Sequence, residues 1–99
     1  VFANLSRLTE FSEKNNVPVF LGEFGADAEC FKSNKGGERW VGDVLDYCIS
    51  NGLSCSYHAY HEPMFGLYPE NTSNYPTLRN ERLAQTFKSR LSGNTLEKK

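Results

Sequence analysis

The most constraining feature of the chain is the run Val17-Pro18-Val19-Phe20-Leu21-Gly22-Glu23-Phe24-Gly25. Its apolar residues are continuous rather than alternating, the pattern of a strand covered on both faces, and such strands belong to parallel sheets packed between helices. Pro18 fits near the first residue, where a missing donor is tolerated. The run ends on a single carboxylate, Glu23, beside an aromatic and between Gly22 and Gly25, residues that permit tight backbone geometry and the close approach of a ligand.

The segments around it alternate in type. Phe2, Leu5, Leu8 and Phe11 recur every three residues with Arg7, Glu10 and Lys14 between them, which predicts an amphipathic helix over 1–16, stopped by Asn15-Asn16. The first strand is 17–25. Residues 26–38 are polar and read as a loop ending in Lys35-Gly36-Gly37. Trp40, Val41, Val44, Leu45 and Cys48 fall at helical spacing, giving a helix over 38–51 with Asn51-Gly52 as its left-handed stop and Trp40 on its packed face. A second strand follows at 53–61, then an aromatic-rich loop at 63–79. Leu83, Ala84, Phe87 and Leu91 predict a last helix over 80–92, and 93–99 reads as a polar tail.

Helix, strand, helix, strand, helix argues an α/β fold with a parallel pair and a helix crossing between the strands. Two strands are too few for a parallel sheet, so this 99-residue chain should be a single partial domain whose strand edges need neighbours. Strand alternation points Val19, Leu21 and Glu23 to one face and Phe20 and Gly22 toward the helices. In the second strand it points Ser54, Ser56 and His58 away from the helices, and Cys55 and Tyr57 toward them.

In parallel α/β folds the chemistry lies at the carboxyl ends of the strands. Glu23 ends the first strand, and Tyr57-His58-Ala59-Tyr60-His61-Glu62 ends the second, so polar and aromatic groups collect at one edge. His58 and His61 offer hydrogen bonds or order the loop. Tyr60, Phe65, Tyr68 and Tyr75 offer flat aromatic surfaces with, in Tyr, a polar handle, and Phe65 reads as core beside Met64 and Leu67. Glu62 reads as a cap on the long loop or a polar contact at the rim. Asp27, Glu29, Asp43 and Asp46 read as solvated or capping charges.

The net charge of -1 gives no electrostatic case for nucleic acid or an acidic membrane surface. The longest apolar run is too short to cross a bilayer. Two histidines without a carboxylate at fixed spacing make no metal site, and no cofactor is implied. Cys30, Cys48 and Cys55 lack metal-site spacing and read as free thiols, two of them packed as small apolar groups, over a disulfide. Asn4-Leu5-Ser6 and Asn71-Thr72-Ser73 are glycosylation sequons that matter only in a secreted eukaryotic protein. The opening Val1-Phe2-Ala3-Asn4 has neither Met nor the basic start of a signal peptide, which points to an N-terminus elsewhere.

The stretch VPVFLGEFGA, followed by GGERWVGDVLDYCISNGLSCSYHAYHEPMFGLYP, resembles the C-terminal part of the endoglucanase-like enzymes of glycoside hydrolase family five. The resemblance covers nearly the whole chain apart from its tail. It implies strands seven and eight, with flanking helices, of a (β/α)₈ barrel. It implies Glu23 as the nucleophile of a retaining hydrolysis of β-linked glucan or a related polysaccharide, with His58, Tyr60, His61 and Tyr68 as substrate-binding groups. Secretion is implied as well. The family's acid/base Glu lies in an Asn-Glu-Pro motif, which is absent here. His61-Glu62-Pro63 ends the wrong strand for that role, and His58 stands where many members place a Trp. The implied partners are a β-glucan and either the remaining barrel strands or other copies of the chain. By itself the chain should be inactive. A non-catalytic glycan-binding module or a scaffold piece are the alternatives.

Overall fold

The computed structural model describes residues 2–69 and 78–97. It is a small mixed α/β domain. α1 spans Phe2–Asn15, β1 Phe20–Phe24, a 3₁₀ helix Ala28–Phe31, α2 Gly37–Asn51, β2 Ser54–Tyr57 and α3 Glu81–Glu97. β1 and β2 pair in parallel, with α2 as the crossover. The α/β order is therefore the one the alternation predicts.

Local chemistry explains where the elements stop. Asn16 takes a left-handed φ of 52° after α1. Ser12 then accepts from the Val17 N–H through its carbonyl at 3.2 Å, and its hydroxyl donates to the Val17 carbonyl at 2.6 Å. Val17 is thus tied back onto α1, and the strand expected at 17–25 begins only at Phe20. The strand expected at 53–61 is likewise shorter, Ser54–Tyr57. Gly52 closes α2 at φ 67°, and its N–H reaches the Cys48 and Ile49 carbonyls. The loop read at 26–38 contains the 3₁₀ turn, whose N-cap Asp27 accepts from the Glu29 N–H at 2.9 Å. α3 is capped by Asn80 on the Leu83 N–H at 3.1 Å. It runs on to Glu97, so 93–97 are helical rather than tail, since a polar stretch without proline does not break a helix.

The core lies on one side of the sheet. Leu5, Phe24, Phe31, Val41, Val44, Leu45, Cys48 and Leu83 form it, and Leu8, Leu21, Cys55, Tyr57 and Phe87 pack against it. Tyr57 meets Phe24 and Phe87 edge-on, at ring centroid distances of 5.3 and 5.1 Å. α2 and α3 are joined by Arg90 to Asp46 at 3.0 Å and by Arg82 to Glu38 at 3.2 Å. The helix stripes are only partly covered: Phe11 and Leu91 remain 57% and 46% exposed. Trp40, expected to be packed, is half exposed and touches Phe24 with ring centroids 6.3 Å apart. Cys30, Cys48 and Cys55 are free thiols.

The face of β2 follows its alternation, with Ser54 and Ser56 exposed and Cys55 and Tyr57 turned to the core. β1 does not. Leu21 packs with the helices, and Phe20 is 61% exposed on the other face, the reverse of the expected phase. The register explains this. Leu21 pairs with Cys55 and Phe24 with Tyr57, so β1 spends three steps where β2 spends two. The extra residue is a bulge that lets Leu21 and Phe24 both reach the core. Gly22 and Glu23 are left together on the exposed side.

Candidate functional site at the carboxyl ends of the strands

Beyond β1 and β2 the two strand ends stay in contact. The His58 N–H donates to the Phe24 carbonyl at 2.8 Å. Gly25 sits so close to the His58 carbonyl that a methyl group at that position would collide with it, so only glycine admits this approach. The Tyr57 hydroxyl reaches across to accept from the Ala26 N–H at 3.2 Å. Burial holds its proton more tightly than usual. These contacts fix the direction in which Glu23 and His58 leave the sheet.

The side chains of Glu23 and His58 meet. His58 Nδ1 lies 3.4 Å from Glu23 Oε2, with Glu23 75% exposed at its side chain. Among the described residues no arginine or lysine pairs with Glu23, and the imidazole of His58 is the basic group beside it. On the other side of the ring, His58 Nε2 lies 3.0 Å from Glu62 Oε2. Glu62 Oε1 in turn accepts from the Met64 and Phe65 N–H groups at 2.8 and 2.9 Å. Those two backbone donors, with His58 behind them, hold the Glu62 carboxyl below the ordinary glutamate range. The loop-capping role read for Glu62 is therefore present, and a second contact, to His58, is added to it.

A shallow recess of about 230 Å³ lies here, lined by Glu23, Phe24, Gly25, His58 and Phe65. The rings of His58 and Phe65 are 6.0 Å apart and tilted by 57°. Phe65, expected in the core beside Met64 and Leu67, is half buried and forms a wall of the recess. The recess is smaller than the about 300–1,000 Å³ of typical ligand pockets. A roomier hollow of about 420 Å³ at Asn34, Gly36, Glu38 and Arg39 contains none of these groups. The imidazole stands between the two carboxylates, so the three do not converge on one point, and among the described residues no cluster suited to a metal ion forms.

The other expected binding residues lie in the following loop. Tyr60 is 66% exposed and its ring is 5.2 Å from that of Tyr68, tilted by 56°. The Tyr68 N–H donates to the Tyr60 carbonyl at 2.9 Å, and His61 bridges to Tyr68 in a short parallel pairing. His61 Nε2 is buried without a hydrogen-bond partner among the described residues. Gly66 lets this loop fold on itself, with its N–H on the Glu62 carbonyl at 2.9 Å. The loop is anchored to the 3₁₀ turn through the Ala28 N–H and Met64 carbonyl at 2.7 Å, and to α3 through the Asn80 N–H and Leu67 carbonyl at 2.7 Å. So Glu23 and His58 come together, Tyr60, His61 and Tyr68 form a neighbouring platform, and Tyr75 and Asn71-Thr72-Ser73 lie outside the described residues. Asn4 of the other sequon is exposed near the start of α1.

Compared with known proteins, the chain matches no family model, no curated protein and no solved structure.

Proposed function

We propose that this chain is the C-terminal βαβα segment of a retaining β-glycanase barrel, contributing Glu23 as the nucleophile. One observation carries the reading. A carboxylate and an imidazole from two adjacent parallel strands meet at the carboxyl edge, on the sheet face that the helices leave open. That is where parallel α/β enzymes hold their reacting groups. Glu23 attacks the anomeric carbon as the bond to the leaving oxygen breaks. A second carboxylic acid protonates that oxygen, and water then releases the sugar from the ester. The two carboxyls of a retaining pair stand about 5 Å apart and have separated proton affinities.

Glu62 does not fit the acid's part. Two backbone donors lower its proton affinity, whereas a general acid needs it raised. The proton donor therefore comes from other strands, and this chain alone hydrolyses nothing. β-Linked glucan as substrate, secretion, and completion of the sheet by further strands belong to the same reading. No described helix is long and apolar enough to cross a membrane.

The test uses the polypeptide that carries the remaining strands. A 2-fluoro glycoside with a dinitrophenolate leaving group needs no acid to react, so it traps the nucleophile directly. The mass of the sugar should appear on the peptide containing Glu23, and Glu23→Gln should abolish both label and turnover. Labelling elsewhere, or turnover unchanged in Glu23→Gln, ends the assignment. A glycan-binding role is the second reading, supported by the exposed Tyr60–Tyr68 pair. It predicts binding that survives Glu23→Gln and fails in Tyr60→Ala.

A further inference from the structure

The contact between His58 and Glu62 is unused by the chemistry above. It is built with more care than a loop cap requires. A carboxylate that only had to order residues 62–65 would spend itself on the Met64 and Phe65 N–H groups, which both fall on Oε1. The second oxygen is aimed instead at His58 Nε2, 3.0 Å away, while the opposite ring nitrogen faces Glu23. Glu62 is the more enclosed of the two acids. Its side chain is 33% exposed against 75% for Glu23, and its contact to the ring is the shorter, 3.0 against 3.4 Å.

We propose that Glu62 is a positioning residue that acts through His58. It holds the imidazole by its Nε2–H and so directs Nδ1 to the space beside Glu23. This deepens the glycosidase reading and rests on it for the purpose of the device. An ionised carboxylate only accepts hydrogen bonds, and each ring nitrogen faces one; the single proton of the neutral ring goes to Nε2, whose carboxylate is the nearer and the less exposed to water. Nδ1 is then the nitrogen left to act at Glu23. In the neutral ring it accepts from a sugar hydroxyl bound over the nucleophile, and in the imidazolium it donates to the Glu23 carboxylate. Without Glu62 the ring is free to present either nitrogen. Histidines whose second nitrogen is held by a carboxylate are the common means of fixing a tautomer and a ring plane.

The test separates this from the turnover question. In the full 99-residue chain, uniformly labelled with ¹⁵N, long-range proton–nitrogen spectra report which nitrogen of His58 is protonated. Wild type should show the Nε2–H form in at least a tenfold excess over Nδ1–H in the neutral ring. Glu62→Gln should reverse it. The amide oxygen of Gln can keep the two backbone donors, while its NH₂ group faces Nε2 and donates, driving the ring proton to Nδ1. Unmoved Met64 and Phe65 amide signals would show that the loop is still capped in that variant. Glu23→Gln should leave the Nε2–H form in excess. A wild-type ring protonated at Nδ1, or a Glu62→Gln ring that keeps the wild-type ratio with the amides in place, overturns the proposal. If Glu62→Gln displaces those amides, Glu62→Asp decides. The shorter acid should retain the Nε2–H excess, and losing it while the Met64 and Phe65 signals stay in place also overturns the proposal. Failure of the glycosidase reading shows elsewhere, as turnover retained in Glu23→Gln.

Discussion

The two faces of the β1–β2 pair are made of the same short strands yet differ in almost every respect. On one, Leu21, Phe24, Cys55 and Tyr57 pack into a core shared with three helices. On the other, Phe20, Gly22, Glu23, Ser54 and Ser56 are exposed. A sheet of this kind is normally covered on both sides. The first face accounts for how the chain folds. The second carries the acid–imidazole pair and Phe20, a large aromatic side chain left mostly exposed. Packed apolar groups and exposed polar ones are thus divided between the sides, and the bulge between Leu21 and Phe24 is what divides them.

The sharpest way to break that comparison is to truncate one residue on each side. Leu83 is fully buried in the core where α3 packs on α2, and Leu83→Ala should lower the unfolding free energy by about 2–5 kcal/mol. Phe20→Ser, on the open face, should change it by no more than about 0.5 kcal/mol. Urea titrations followed by circular dichroism measure both. Equal losses would mean that something covers Phe20, and sedimentation would show whether it is a second copy of the chain. With the remaining barrel strands attached, the proposed function expects the Phe20 loss to rise toward the value of a core residue.

A second contrast lies within the covered side. Cys48 is buried, and burial with Cys55 beside it pushes its thiol up to about 11. An unperturbed thiol lies at 9.0, so at neutral pH the Cys48 thiolate should be roughly 100-fold scarcer than that of an unperturbed thiol. Alkylation by iodoacetamide, resolved by peptide mass, should therefore modify Cys48 at least about 100-fold more slowly than a model thiol. A rate near that of the model thiol would show that α2 opens from the sheet on the timescale of the reaction.

What the sequence made legible follows from these contrasts. The alternation of elements, the Asn51-Gly52 stop and the β2 phase could be read because each depends on local pattern or on one glycine. The β1 phase could not, because a bulge is a property of the pairing and not of one strand. Leu21 and Glu23 sit two apart in sequence and still face opposite sides. The early start at Val17 failed for a similar reason, since Ser12 binds Val17 from outside the strand. At the strand ends, the nearness of Glu23 and His58 follows from their places in the sequence, and the loop-capping contacts of Glu62 from its place at the head of the loop. The Glu62–His58 contact has helical spacing in a segment with no helix, so periodicity gave it no signal. Phe65 departs from the core reading because its apolar neighbours do not act together: Leu67 packs against the core while Met64 is exposed.

The smallest expected effect concerns that loop. The carboxyl of Glu62 is held below its ordinary range chiefly by the Phe65 and Met64 amides, with a lesser part from His58. A group depressed in the folded state contributes stability that is fully present above its unfolded value and is lost as pH falls through the folded one. The loop should therefore keep its order at neutral and mildly acidic pH and loosen only below the usual glutamate range. In ¹H–¹⁵N spectra the Met64 and Phe65 signals should move together on acidification, with a midpoint below 4.5, the unperturbed value. The signals of Leu45 and Val44, deep in α2, should stay in place over the same range. In Glu62→Gln the two loop amides should no longer titrate there, because the cap has lost its charge. Movement of the α2 signals with the loop would mean that the open and covered sides are coupled, and the division of labour between them would have to be given up.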